Sequence, residues 1–306
     1  MKILNFGSCN IDYVYSLDHI VAPGETETTH KLQTFPGGKG LNQSVALAKA
    51  GAEVYHAGCI GNDGDMLLDV LRESGVDVSY IKTADVKNGH AIIQVSNEGA
   101  NSIFLYPGSN EMISTEFIDE VLANFAEGDI ILLQNEINSV DYIIEKAYQK
   151  GMCIVFNPSP YNEKISSIDL NMISYLILNE VEAKDISGCE EPKESLVYFK
   201  KNYPMLKVML TLGENGCVYM DKDNEVYQSA FSVDVVDTTA AGDTFTGYFV
   251  SEISRGTDYK GVLEISSVAS AIAVSRDGAA PSIPHREEVI ASVGKFNVKK
   301  KTTELS

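Results

Sequence analysis

A rhythm of short apolar runs alternating with longer helix-patterned segments constrains the fold of this 306-residue chain more than any other feature. The runs Lys2–Gly7, Glu53–Ile60, Ile130–Gln134, Cys153–Phe156, Tyr175–Leu178 and Val208–Thr211 have strand length and no polar alternation. The spacing of apolar residues predicts helices over Leu41–Ala50, Met66–Ser74, Ser139–Lys150, Leu196–Asn202, Thr244–Ser254 and Tyr259–Val274. Continuous apolar strands separated by helices imply a parallel sheet covered on both faces, an α/β architecture of three layers with doubly wound order. Several runs end in polar residues, namely Asn10 and Asp12, Asn135 and Glu136, Asn157, Asn179, and Thr211. Open α/β sheets bind ligands at the carboxyl ends of their strands, so these residues are expected to face one cleft.

Two stretches, 13–34 and 89–106, are strand-like and polar with no helix between them. They are expected to form a small β-sheet lid on a catalytic domain spanning residues 1–296. Such a lid would exclude water, and an ordinary pair of surface hairpins would show the same pattern. Residues 297–306 carry Lys299-Lys300-Lys301 without an apolar pattern and are expected to be a flexible tail. The net charge of -19 argues against a nucleic-acid partner. A small anionic ligand remains compatible with it, because local backbone donors and a metal ion outweigh a global field. No apolar run has membrane-spanning length and no leader-like segment opens the chain, so a cytoplasmic location is expected. Cys9, Cys59, Cys153, Cys189 and Cys217 lack metal or disulfide spacing, as do the five histidines.

The stretch Asp237-Thr238-Thr239-Ala240-Ala241-Gly242-Asp243-Thr244 carries the chemistry. Phe245, Phe249 and Ile253 follow at helical spacing, which puts Ala240, Ala241 and Gly242 at a helix N-terminus. Amides in a first turn lack intrahelical partners, and small side chains leave them open to an anion such as phosphate. Asp243 stands at the edge of that anion hole, placed to take a proton from a hydroxyl. A lone Gly-Asp before a helix also serves as a simple first-turn acid. Gly37-Gly38-Lys39-Gly40-Leu41-Asn42 opens another helix, where glycines allow close ligand approach and Lys39 and Asn42 can bond hydroxyls. Neither the P-loop spacing nor a dinucleotide fingerprint is present, since Gly58, Gly61 and Gly64 are wrongly spaced. Asn10-Ile11-Asp12 suits a polyol or a turn, and Asn179-Glu180-Val181-Glu182 suits a helix cap or phosphate and hydrated Mg²⁺. Thr211-Leu212-Gly213-Glu214-Asn215-Gly216 suits a turn or a nucleotide-binding edge.

Together these residues resemble the ribokinase family of carbohydrate kinases, also called the phosphofructokinase B family. Gly37, Gly38, Asn42, Ser44, Gly51 and Gly61 fit its N-terminal signature, and Asp237 to Phe249 fits its C-terminal one. Within the family the chain is most similar to the ribose-phosphorylating members, through Gly7–Asp12, Pro23–Thr26, Gly37–Gln43 and Ala279–Pro284. The resemblance implies an ATP-dependent kinase that phosphorylates the 5-hydroxyl of D-ribose to ribose 5-phosphate. It implies that Asn10, Asp12, Gly38, Lys39, Asn42 and Glu136 contact the sugar. Asn179, Thr211, Gly213, Gly216 and Ser267 would line the nucleotide site, with Glu182 near Mg²⁺. Asp243 would be the base, with Ala240, Ala241 and Gly242 as its anion hole. A K⁺ site would use Asp237, Thr239, Ala273, Arg276, Gly278 and Ser282, several through carbonyls. The resemblance also implies a homodimer formed through the lid. Two departures stand out: Asn88-Gly89-His90-Ala91 where a Thr-Gly pair is frequent, and Ser267 in place of a larger polar residue. The competing readings are a sister kinase for deoxyribose, fructose or a nucleoside, and a non-catalytic sugar-binding regulator. A nicotinamide oxidoreductase is disfavoured by the missing fingerprint.

Overall fold

The computed structural model describes residues 1–299. In chain order the elements are β1 (Ile3–Phe6), β2 (Asn10–Leu17), β3 (Lys31–Gly37), α1 (Lys39–Lys49), β4 (Val54–Ile60), α2 (Asp65–Glu73), β5 (Asp77–Thr83), β6 (His90–Ser96), β7 (Asn101–Tyr106), α3 (Thr115–Leu122), β8 (Ile130–Gln134), α4 (Val140–Gln149), β9 (Cys153–Asn157), β10 (Tyr175–Asn179), α5 (Glu180–Ser187), α6 (Pro192–Asn202), β11 (Lys207–Thr211), β12 (Cys217–Met220), β13 (Glu225–Gln228), α7 (Ala241–Arg255), α8 (Tyr259–Val274) and α9 (Arg286–Ser292). The main sheet has nine strands in the order β13-β12-β11-β10-β9-β8-β1-β4-β5, parallel except where the β12 hairpin pairs with β11 and β13. Doubly wound order follows from where the chain starts: β1 lies inside the sheet, flanked by β4 and β8, and the sheet grows outward on both sides.

Side-chain alternation along the strands builds the two covered faces. Leu4, Phe6, Ile131 and Leu133 point to one side, against Ile143 and Ile144 of α4 and Phe199 of α6. Ile3, Ile130 and Leu132 point to the other, against Leu41 and Val45 of α1 and Phe249 and Val250 of α7. The two stretches expected to stand apart form a separate four-stranded sheet, ordered β3-β2-β6-β7. It is mixed, because β2 and β6 run parallel while the outer pairs are antiparallel.

Six elements escaped the reading of the chain. β5 alternates exposed and half-buried residues at the sheet edge. β12 and β13 have four residues each. α3 and α9 are short. α5 is mostly polar and is set by a capping box between Asn179 and Glu182 rather than by an apolar stripe. The expected tail needs correcting at its start. The Ser232 amide donates to the Asn297 carbonyl and the Lys299 amide to the Ala230 carbonyl, so residues 297–299 are held like an edge strand. Residues 300–306 of that expected tail lie outside the described residues.

Candidate active site

The cleft is built at the carboxyl ends of β1, β8, β9, β10 and β11, where α1 and α7 begin. α1 begins unusually close to the β1 exit: a Cβ on Gly40 would stand 2.3 Å from the Ser8 amide nitrogen. Only glycine permits that approach, and Gly38 just before it takes φ 91°, a left-handed value that suits glycine. The tight entry brings Lys39, Asn42 and Gln43 over the sheet end.

Asp243 lies in the first turn of α7 and is buried. Asn42 Nδ2 donates to its Oδ2 at 3.0 Å and Gln43 Nε2 to its Oδ1 at 2.9 Å. Burial pushes the Asp243 carboxyl above the usual range, while Lys39, Gln43 and Asn42 pull the other way. Glu136 is likewise raised by burial and drawn back by Lys39 and by the donors on its Oε2, the Ser8 hydroxyl and the Lys39 amide at 2.9 Å. Burial disfavours the Lys39 ammonium, but Asp243, Glu136 and Glu182 outweigh it and raise the pKa. Asp12 is pushed up to about 7 by burial and by the neighbouring Glu136 and Asp243. Its carboxylate lies against Gly37, where a Cβ would stand 2.0 Å from Oδ2. Asn10 Oδ1 accepts from Asn110 Nδ2 at 2.7 Å. The polar residues expected to bind a sugar, Asn10, Asp12, Gly38, Lys39, Asn42 and Glu136, therefore converge on one wall.

Beyond Asp243, a cavity of about 470 Å³ is lined by Asn179, Thr211, Gly213, Gly216, Gly242 and Ser267 among others. All the residues expected around a nucleotide line it except Glu182, which is buried in the capping box with its Oε2 on the Asn179 amide. The reading of the chain missed its apolar wall, made by Phe231, Val233, Val235 and Phe245, and also Lys299 at its edge. An apolar residue carries no signal that separates a cleft wall from a core.

Fewer of the amides expected to form an anion hole are open than the sequence suggested. The Ala241 amide donates to the Thr238 carbonyl at 3.2 Å, and Ala240 is the buried residue that caps the helix. Gly242 and Asp243 supply the next first-turn amides. A Cβ on Gly242 would meet nothing within 4 Å. Packing does not require glycine there, but a ligand resting on the amide would.

Of the expected monovalent-cation residues, Asp237 and Thr239 lie on one loop, Arg276, Gly278 and Ser282 follow α8 on a second segment bound to it, and Ala273 is buried in the last turn of α8. Asp237 Oδ2 accepts from the Gly278 amide at 3.0 Å and its Oδ1 from the Thr239 amide at 2.9 Å. Burial raises the Asp237 carboxyl, but the Thr239 and Gly278 donors prevail and hold it below the usual range. The Arg276 side chain points away, to Glu288, and the Ser282 hydroxyl donates to the Ala279 carbonyl at 2.8 Å.

Sequence comparison places residues 1–286 within the model for the pfkB family carbohydrate kinases. The chain belongs to this family. A ribokinase of Staphylococcus aureus (strain COL) is 34% identical over 299 residues, which span 94% of this chain and 98% of that protein. The crystal structure of a ribokinase from Cryptococcus neoformans var. grubii serotype A in complex with ADP superposes with a TM-score of 0.85 at 32% identity, over 95% of this chain and 99% of that one. An Arabidopsis thaliana ribokinase complexed with ribose and ATP superposes with a TM-score of 0.84 at 27% identity, over 95% and 98%. Among the described residues no helix is long and apolar enough to cross a membrane.

Proposed function

We propose that this pfkB carbohydrate kinase phosphorylates the 5-hydroxyl of D-ribose with ATP, giving ribose 5-phosphate and ADP. One observation carries the reading: the Gly242-Asp243 turn stands between the large cleft and the polar wall. Gly242 lines that cleft, and Asp243 is bonded to Asn42 of the polar wall. A hydroxyl on that wall would meet a phosphoryl group resting on the α7 N-terminus beside a carboxylate. The hydroxyl oxygen bonds to the γ-phosphorus as the bond from phosphorus to the β,γ-bridging oxygen breaks, and ADP leaves. Asp243 takes the hydroxyl proton, and the α7 amides stabilise charge on the transferring group. Asn42 Oδ1 has no hydrogen-bond partner among the described residues, an orphaned acceptor that a sugar hydroxyl would satisfy.

Glu182, whose buried carboxylate acts electrostatically on Lys39, would be the residue nearest Mg²⁺. The ion would supply charge neutralisation on the phosphates. K⁺ would sit between the Asp237 and Gly278 loops, where the Thr239 and Gly278 donors keep the Asp237 carboxylate ionised. Cytoplasmic location and a homodimer through the small sheet complete the reading. β7 supports the dimer, since Ile103, Phe104, Leu105 and Tyr106 are about half exposed there.

The test is ADP release with ribose, deoxyribose, fructose, adenosine and pseudouridine. The expected result is the highest kcat/KM for ribose. A preference for any other acceptor would replace ribose as the substrate.

A further inference from the structure

Beneath Asp243 runs a buried chain of side-chain amides that the proton transfer itself does not use. Gln43 Nε2 donates to Asp243 Oδ1 at 2.9 Å and to Asn157 Oδ1 at 3.1 Å. Gln134 Nε2 donates to Gln43 Oε1 at 2.7 Å and to Asn5 Oδ1 at 2.9 Å. Asn5 Nδ2 donates to the Gly40 carbonyl at 2.7 Å and to Ser44 Oγ at 2.8 Å, and Asn157 Nδ2 donates to the Ile177 carbonyl at 2.9 Å. Asn5, Gln43 and Gln134 are almost completely buried.

The direction of these bonds is not free. A backbone carbonyl only accepts, so Gly40 fixes which end of Asn5 is the amine and Ile177 does the same for Asn157. The oxygens of Asn5 and Asn157 are thereby turned toward Gln134 and Gln43. Gln134 must then offer its amine, and Gln43 must present its oxygen to Gln134 and its amine to Asp243. One feature shows how strongly the order is enforced: Gln134 Oε1 is a buried acceptor with no partner among the described residues. Turning that amide over would set oxygen against oxygen at both Gln43 and Asn5. An unpaired acceptor is the smaller cost.

We propose that Gln43, locked by Gln134 and Asn157, is a positioning residue that holds Asp243 as an acceptor-only carboxylate aimed at the hydroxyl. The inference rests on Asp243 being the base. A carboxylate facing two fixed N–H groups is favoured over the protonated acid, whose own O–H would confront a donor. This offsets the burial of Asp243. The other charged groups facing Asp243 are Lys39 of α1, Glu136 after β8 and Asp12 of β2, with Glu182 of α5 acting on Lys39.

The test is the pH profile of kcat for the full chain with saturating ATP and sugar, comparing wild type with Gln43→Met and Gln43→Glu. Losing one hydrogen bond to a carboxylate should move the acid limb up by about one pH unit in Gln43→Met. Gln43→Glu puts a second carboxylate against Asp243 and should move it further, with the sugar KM changed less than kcat in both. Gln134→Met frees Gln43 without touching Asp243 and should shift the limb the same way by less. It also serves as the test if the Gln43 variants do not fold. Asp243→Asn is measured alongside. If Asp243→Asn retains near wild-type turnover, the base assignment and this inference both fall. If Asp243→Asn is inactive but the variants lose rate equally at every pH, with the acid limb in place, the positioning role alone is overturned.

Discussion

Asp12 is half-buried and Asp243 buried within one site, and their partners differ. Burial raises both carboxyls; Lys39 and two amide donors draw Asp243 back, whereas Glu136 and Asp243 add to the effect on Asp12, which is pushed up to about 7. The sign for Asp12 is that of a raised group. Its stabilising contribution is complete below the unfolded-state pKa and is lost as pH rises through about 7, where the half-buried carboxyl must ionise. Asp12→Asn should therefore gain thermal stability relative to wild type as pH is raised from 5 to 8, by about 2–4 °C without ligand. Its ribose affinity should fall while ATP affinity holds. Scanning calorimetry at both pH values with separate titrations of each ligand checks this, and a pH-independent difference in Tm would contradict it. At this scale the gathering of Asn10, Asp12, Asn42 and Asp243 at one end of the sheet was legible, because polar residues at strand exits and helix starts lie at the carboxyl ends of the strands. Ser8, Gln43, Asn110 and Gln134 were not. A serine or glutamine next to an apolar residue carries no mark of burial, and their partners lie far away in sequence, as with Gln43 and Asp243.

Among the elements, the two loops that flank the start of α7 behave as one unit. The Val236 and Asp237 amides both donate to the Val274 carbonyl, at 2.8 and 3.2 Å, and the Gly278 amide donates to the Asp237 carboxylate. Lys49 of α1 adds an ammonium to the same region, donating to the carbonyls of Ala280 at 3.1 Å and Ile283 at 2.8 Å. A cation between these loops would never touch substrate. It would fix the turn that presents the Gly242 amide and strengthen its positive field. Potassium is expected to raise kcat above the rate in sodium or a bulky organic cation at constant ionic strength, and equal rates in all three salts would exclude the site. Both loops were recognisable from their glycines and acids. The C-terminal segment was not, because the pairing of residues 297–299 with Ala230 to Ser232 depends on backbone bonds that composition does not encode.

For the whole molecule, the strand-helix rhythm was enough to indicate the layers, and the break in that rhythm indicated the second sheet. Strand order was not legible, since parallel strands pair across crossovers whose direction no local pattern records. The nine-stranded sheet and the small sheet meet at the polar wall, because β2 begins at Asn10 and carries Asp12, and β3 ends at Gly37. The outer strand β7 leaves Phe104 about half exposed beside Ile103 and Leu105. Phe104→Glu should turn a dimer into a monomer in sedimentation velocity, and an already monomeric wild type would contradict the dimer. The central claim is that Asp243 faces the primary hydroxyl of ribose when ATP lies on the α7 N-terminus. Proton-coupled phosphorus NMR of the product made from ribose and ATP tests this most directly. The account predicts a phosphate monoester split by two methylene protons, as on C5. Splitting by a single methine proton, or release of inorganic phosphate without a sugar ester, would contradict it.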